Sequence, residues 1–212
     1  MTVSDLADGL KRVEAPLSDD DVRLLKAGDR VRVFGRVYGA RDAAQKRMVE
    51  MLDRGEPLPV DLAGQIVYYV GPTPARPGAV IGAAGPTTAG RMDKYTPRLL
   101  DLGLKVAIGK GGRGAALRPE FQKNTACYFA ALGGGGALAA GMIRETRVVA
   151  FDDLGPEAVF AFTFDDFPAW VVNDCYGADY YEQVSAPWRR DDRLPPELRV
   201  VHAPAEGDLG GG

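Results

Sequence analysis

Two cysteines and one histidine are all this 212-residue chain offers as soft or imidazole ligands: Cys127, Cys175 and His202. A structural zinc site or a cysteine-held iron–sulfur cluster needs three or four ligands, so the chain cannot assemble one by itself from Cys and His. The cysteines lie far apart in apolar segments and read as small buried side chains, not as a CxxC pair or a disulfide framework. A single His near the C-terminus is a poor base for a Ser–His–Asp triad. No run reaches the ~18 apolar residues of a membrane span. Residues 1–9 lack the basic-then-apolar form of a secretory signal, which points to the cytoplasm. A net charge of −3, from 26 basic and 29 acidic residues spread along the chain, leaves no footprint of a nucleic-acid binder.

What is present is glycine, and it is concentrated. The most informative stretch is Gly85-Pro86-Thr87-Thr88-Ala89-Gly90-Arg91-Met92-Asp93, which follows an apolar, β-leaning segment. If a helix begins at Thr87 or Thr88, its free N–H groups, its dipole and the Arg91 guanidinium converge on a hydroxyl, as in a carboxylate or phosphate pocket. A capped helix with a surface Arg explains the same spacing. Further along, Gly109-Lys110-Gly111-Gly112-Arg113-Gly114 puts a Lys between glycines at a strand end. It is not a Walker loop, because Gly111 stands where that pattern needs Ser or Thr. The run Gly133-Gly134-Gly135-Gly136 either admits an anion to backbone N–H groups or lets a helix pack closely on the sheet.

The remaining pattern is α/β. Helices are expected at residues 21–26, 43–54, 95–102, 118–124 and 137–143, and strands at 30–38, 65–70, 80–84, 104–108, 127–132, 146–151, 158–164 and 169–173. Several strands follow one another with no helix between, which predicts a mixed sheet flanked by helices instead of a doubly wound one. Residues 1–16 read as a polar N-terminal arm, 17–186 as the domain, and 187–212 as a Pro- and charge-rich tail. Ligands in such sheets bind beyond the carboxyl ends of strands. The polar residues at those ends are Arg41, Thr87, Arg91 and Lys110. Three cations around one hydroxyl suit a dicarboxylate, since Arg is the bidentate carboxylate binder and neighbouring cations favour the alkoxide form of a Thr.

The chain resembles the β-type domain of iron–sulfur-dependent class I fumarases and L-tartrate dehydratases over residues 17–181. The resemblance rests on Gly39-Ala40-Arg41-Asp42-Ala43-Ala44, Val70-Gly71-Pro72-Thr73-Pro74, the Gly85 to Asp93 motif, Gly109-Lys110-Gly111 and Asp166-Phe167-Pro168-Ala169. It implies a swivelling β/β/α fold and a reversible hydration–dehydration of a four-carbon dicarboxylate, fumarate/malate first and tartrate to oxaloacetate next. It also implies that Thr87 is the base, with Lys110 in the active site and Arg41, Arg91 and Thr88 on the substrate. The [4Fe–4S] cluster would belong to a separate α-type subunit, in a heterodimer or an α2β2 assembly. One departure is Gln45, where relatives usually carry His; Gln keeps hydrogen bonds but does not titrate near neutrality. The competing readings are a non-catalytic paralogue that serves as a dicarboxylate-binding or scaffold module, and an independent phosphate-ligand binder built on the Gly109 and Gly133 loops.

Overall fold

The computed structural model describes residues 2–190; His202 and most of the expected tail lie outside them. Eight strands form one mixed sheet: β1 (Val3–Asp5), β2 (Leu10–Glu14), β3 (Arg30–Gly39), β4 (Ile66–Tyr68), β5 (Val106–Gly109), β6 (Cys127–Ala130), β7 (Ile143–Ala150) and β8 (Val159–Asn173). Strands β3, β4, β5 and β6 run parallel in that order, while β8 lies antiparallel to both β6 and β3. The pairing β3–β4–β5–β6–β8–β3 therefore closes on itself. Strands β1, β2 and β7 extend from this ring.

The sequence period explains the ring. Alternate residues of each parallel strand point to opposite sides. Ile66 and Tyr68, Val106 and Ile108, and Cys127 and Phe129 join Val31, Val33, Val37, Phe162, Phe164 and Phe167 in one buried cluster. Val67, Ala107 and Tyr128 face the other way and pack on Met48, Leu99, Leu100, Leu117 and Phe121 in a second. Those five come from the helices on the outer face: α2 (Asp42–Asp53), α3 (Thr96–Leu100) and α4 (Leu117–Lys123). The remaining helices are short: α1 (Asp19–Arg23), α5 (Gly136–Ala140) and α6 (Tyr180–Ser185). A second compact unit begins at Tyr181, and its described part continues α6 and adds a 3-10 turn at Ala186–Trp188. No helix among the described residues is long and apolar enough to cross a membrane.

Several expectations change. The segment expected as a polar arm supplies β1 and β2, which add to the outer edge of β3. No strand forms at residues 80–84. Instead the Pro-rich loop folds back, with Thr73 N–H donating to Ala83 O (3.0 Å) and Ala83 N–H to Thr73 Oγ1 (2.8 Å). The two strands expected at 158–164 and 169–173 are one strand, β8, bent by a bulge. Phe34 alone of β3 stands opposite Asp165 and Asp166, and Asp166 takes a left-handed φ of 60°. The α/β class and the helix-flanked mixed sheet match the expectation.

Candidate functional site

The site begins where β3, β4 and β5 end. After β4 the chain continues through Tyr69 to Val70, which bridges to Pro86. The next residues of the motif lie between two strand ends: Thr87 N–H donates to Tyr69 O (2.7 Å), Lys110 N–H to Thr87 O (3.1 Å) and Ala89 N–H to Lys110 O (2.9 Å). These main-chain bonds set Thr88 in parallel register with Lys110, with Thr87 one residue before it. Gly109 makes this possible. A Cβ there would stand 3.0 Å from the Tyr69 ring and 3.2 Å from Thr87 O. Tyr68, inside the ring, donates its hydroxyl to Ala84 O (2.6 Å) and anchors the approach to the motif; burial pushes its phenol pKa up, so it stays a donor.

The expected helix start at Thr87 or Thr88 is a single 3-10 turn, Ala89–Met92, with no side-chain cap at Thr88. The Thr87 and Ala89 N–H groups are already taken by Tyr69 and Lys110. A single 3-10 turn thus replaces the expected helix start, and these two N–H groups bond to strand ends instead of facing a ligand. Arg91 leaves the turn into solvent and its Nε donates to Asp42 Oδ1 (2.8 Å). Thr88 is exposed, and Thr87 is buried at 8% exposure.

Asp42 joins the two arginines. It opens α2 directly after Arg41, so the contact with Arg91 brings the β3 end and the motif together. Arg41 Nη2 donates to Glu157 Oε1 (3.0 Å), and the other oxygen of Glu157 accepts from Ala43 N–H (2.8 Å) in the first turn of α2. The guanidinium lies against Gly71, where a Cβ would be 2.6 Å from Arg41 Nε. Gln45 is fully buried and donates to Ala40 O (3.1 Å), the carbonyl just before Arg41. It points into the protein and supports the backbone under Arg41.

The glycine loops divide in role. Gly136 packs on the motif itself: Ala84 N–H donates to Gly136 O (2.9 Å), and a Cβ on Gly85 would lie 3.4 Å from Gly136 Cα. Close packing accounts for that glycine. A Cβ at Gly133 would come within 3.5 Å of Lys110 Cδ, so the lysine stem runs over the same segment. The other loop is held by Asp93, the last residue of the motif. Its carboxylate accepts from Arg113 Nε (2.7 Å) and Gly114 N–H (2.7 Å). Arg113 has a side chain only 1% exposed and also donates to Tyr69 Oη (3.0 Å) and Thr96 Oγ1 (2.6 Å). Burial works against its charge, but Tyr69 and Asp93 outweigh that and hold its pKa above the ordinary value.

Sequence reasoning passed over Glu157, Asp42 and Arg113. Glu157 lies 116 residues from Arg41 and carries no local pattern. Asp42 and Asp93 stood inside quoted motifs, and their acid beside a conspicuous Arg was the available signal.

Among the described residues no group of three or more His, Cys, Asp or Glu is placed to hold a metal ion. Cys127 is fully buried in the ring, where burial pushes its thiol well up, and burial also raises Cys175. Neither is a ready thiolate.

The family model described as "Fumarase C-terminus" matches residues 7–184, a span that contains every site residue above. "Fumarate hydratase 2" of Leishmania major is 36% identical over 184 residues, which are 86% of this chain and 32% of that protein. "Fumarate hydratase class I, aerobic" of Escherichia coli K12 is 34% identical over 182 residues, 85% of this chain and 32% of that one. The chain thus spans about a third of the length of the fumarate hydratases it matches. "Putative L(+)-tartrate dehydratase subunit beta" of Methanocaldococcus jannaschii is 37% identical over 175 residues, 80% of this chain and 90% of that protein.

Proposed function

The chain belongs to the fumarase C-terminus family, and on that footing we propose that it is the β half of a two-part hydro-lyase acting on a four-carbon dicarboxylate. Fumarate/malate is the first substrate pair and tartrate to oxaloacetate the second. The reading is supported above all by one arrangement: Thr87 and Lys110 are hydrogen-bonded neighbours at the strand ends, and Asp42 links Arg91 to the residue next to Arg41.

In this proposal Arg41 and Arg91 each take a substrate carboxylate, with two parallel N–H donors per anion. Both guanidiniums now face acids of the chain itself, Glu157 and Asp42, which hold them in place. Thr88 adds a hydroxyl at the exposed rim. Thr87 Oγ removes the carbon-bound proton of the hydroxy acid, and the positive charge of Lys110, whose main chain is bonded to that of Thr87, favours the oxyanion form of that hydroxyl. The leaving hydroxide needs an electrophile. We assign that part to a [4Fe–4S] cluster carried by an α-type partner subunit, in a heterodimer or α2β2 assembly, because this chain's own cysteines do not fit cluster ligation.

Turnover is measured after anaerobic mixing of this chain with a reconstituted cluster-bearing α-type subunit, with fumarate, malate and tartrate as substrates. The pair turns over and neither half does so alone. Thr87→Ala lowers kcat by about 10²–10⁴-fold with assembly intact. Turnover by the purified chain free of iron, or full activity of Thr87→Ala, refutes the assignment.

A further inference from the structure

Arg113 is the one buried lysine or arginine among the described residues, and nothing in the proposed chemistry uses it. Each nitrogen of its guanidinium has a partner: Nε donates to Asp93 Oδ1 (2.7 Å), Nη1 to Tyr69 Oη (3.0 Å) and Nη2 to Thr96 Oγ1 (2.6 Å). Three rings stand around it, with the centroids of Tyr128, Tyr69 and Phe121 at 5.2, 5.5 and 5.6 Å from Cζ. A planar fork between three acceptors and three rings is a place that a lysine ammonium does not fill. Stability alone is a weak reason to bury such a charge, since apolar side chains of similar volume often serve as well.

The elements that Arg113 joins supply another reason. Tyr69 follows β4, and its carbonyl takes the Thr87 N–H. Asp93 directly follows the 3-10 turn of the motif, and Thr96 opens α3. Arg113 itself comes three residues after Lys110, in a loop that is otherwise glycine: apart from Lys110, it is the only residue of 109–114 that has a side chain. Two bonds flank it, from Tyr128 Oη to Gly111 O (2.8 Å) and from Gly114 N–H to Asp93 Oδ2 (2.7 Å). We propose that Arg113 is a positioning residue for the site: its fork locks the 109–114 loop onto the far side of the motif and so fixes the root of the Lys110 side chain relative to Thr87. Its value to catalysis rests on the hydro-lyase reading, in which the Lys110 charge acts on the Thr87 hydroxyl. Without the fork, glycines on both sides of Lys110 let the loop swing and the bonds that join it to Thr87 and Ala89 open. Arg41 and Arg91 are held separately, by Glu157 and Asp42, so substrate binding is spared.

The test compares R113K, which keeps the charge but not the fork, with R113M/D93N, which removes both charges so that no carboxylate is left without its counter-charge. Hydrogen exchange of the full chain is read first. The Lys110 and Ala89 amides, bonded to Thr87 O and Lys110 O, exchange about tenfold faster in both variants, while the Cys127 and Val171 amides, bonded to Lys105 O and Asp29 O, keep their rates. In the reconstituted pair, kcat then falls about 10–100-fold with KM kept, the effect of a misplaced group on the chemical step. Unchanged Lys110 and Ala89 amides, or variant pairs with wild-type kcat, overturn the proposal. So does a uniform rise that includes Cys127 and Val171, which would make Arg113 a general stabiliser. A wild-type pair that fails to turn over refutes the hydro-lyase reading instead, and the exchange rates still decide whether Arg113 fixes the loop.

Discussion

Arg41 is held by neighbours that a linear reading does not connect. Gly71 gives it room, Glu157 gives it a counter-charge, and Gln45 braces the carbonyl before it. On the proposed role of Arg41 as a carboxylate binder, Gly71→Ala acts on binding. The new methyl would sit 2.7 Å from Arg41 Cζ, and the guanidinium has to move. In the proposed two-part enzyme, KM for the proposed dicarboxylate is expected to rise about tenfold, the equivalent of losing about 1.4 kcal/mol of carboxylate binding, with kcat largely kept. Steady-state kinetics reads the split, and an unchanged KM removes Arg41 from the substrate. The residues of this site were legible in sequence to the extent that glycine betrayed them. Lys110 follows Gly109, which close contacts with Tyr69 and Thr87 require, while Arg91 follows Gly90 and Thr87 lies two residues after Gly85. Arg113 also stands between glycines, yet nothing local says that its side chain turns inward to Tyr69, Thr96 and Asp93, because burial of an arginine is decided by distant partners.

At the scale of elements, local chemistry fixes the ends and tertiary pairing fixes the rest. The helix expected at 21–26 starts two residues earlier, where Ser18 forms a capping box: Asp21 N–H donates to Ser18 Oγ (3.2 Å), and Ser18 N–H donates to the Asp21 carboxylate (2.9 Å). Ser18→Ala is expected to cost about 1 kcal/mol in a denaturant melt, the usual loss of a side-chain cap. A shift within error would mean that Leu25 and Val22, both fully buried, hold α1 without its cap. β8 shows the opposite case. Its middle, Asp165-Asp166-Phe167-Pro168, carries two acids and a proline and reads as a break in a strand. It stays paired because β3 runs beside it from Phe160 to Trp170 and a single bulge absorbs the extra residue. Residues 80–84 fail in the other direction: their β-leaning composition finds no free edge, and Thr73 takes up the Ala83 hydrogen bonds. The short arm strands were invisible for the same reason, since β1 and β2 owe their form to β3.

For the molecule as a whole, surface acids set the low-pH limit. Side-chain hydrogen bonds from Lys105 to Asp19, from Lys123 to Asp101 and from Arg47 to Asp153 hold these carboxyls below their ordinary value of 3.8. A depressed folded pKa means that the unfolded chain binds protons first as pH falls. The contribution of these pairs is complete above about pH 4 and is lost as pH drops through the lower folded values. Each is solvated and individually small. Thermal melts are expected to be flat between about pH 7 and 5 and to fall below pH 4, with the fall reduced by salt. A decline that starts near pH 6 would implicate a different group. The mixed, helix-flanked sheet was anticipated from strands that follow one another with no helix between, but ring closure was not, because it depends on β8 pairing with β3 and β6, strands remote in sequence.

That closure has a consequence for how the polypeptide is made. Gly35 is joined to Phe164, and Tyr128 to Asn173, so the inner core lacks a wall until β8 exists. A nascent chain leaving the ribosome holds β3 to β6 with Ile66, Ile108 and Phe129 unsheltered until residue 173 has emerged. Translation that stops short of that point releases a sticky half-shell, and the cell's chaperones meet this protein as a late and sudden folder.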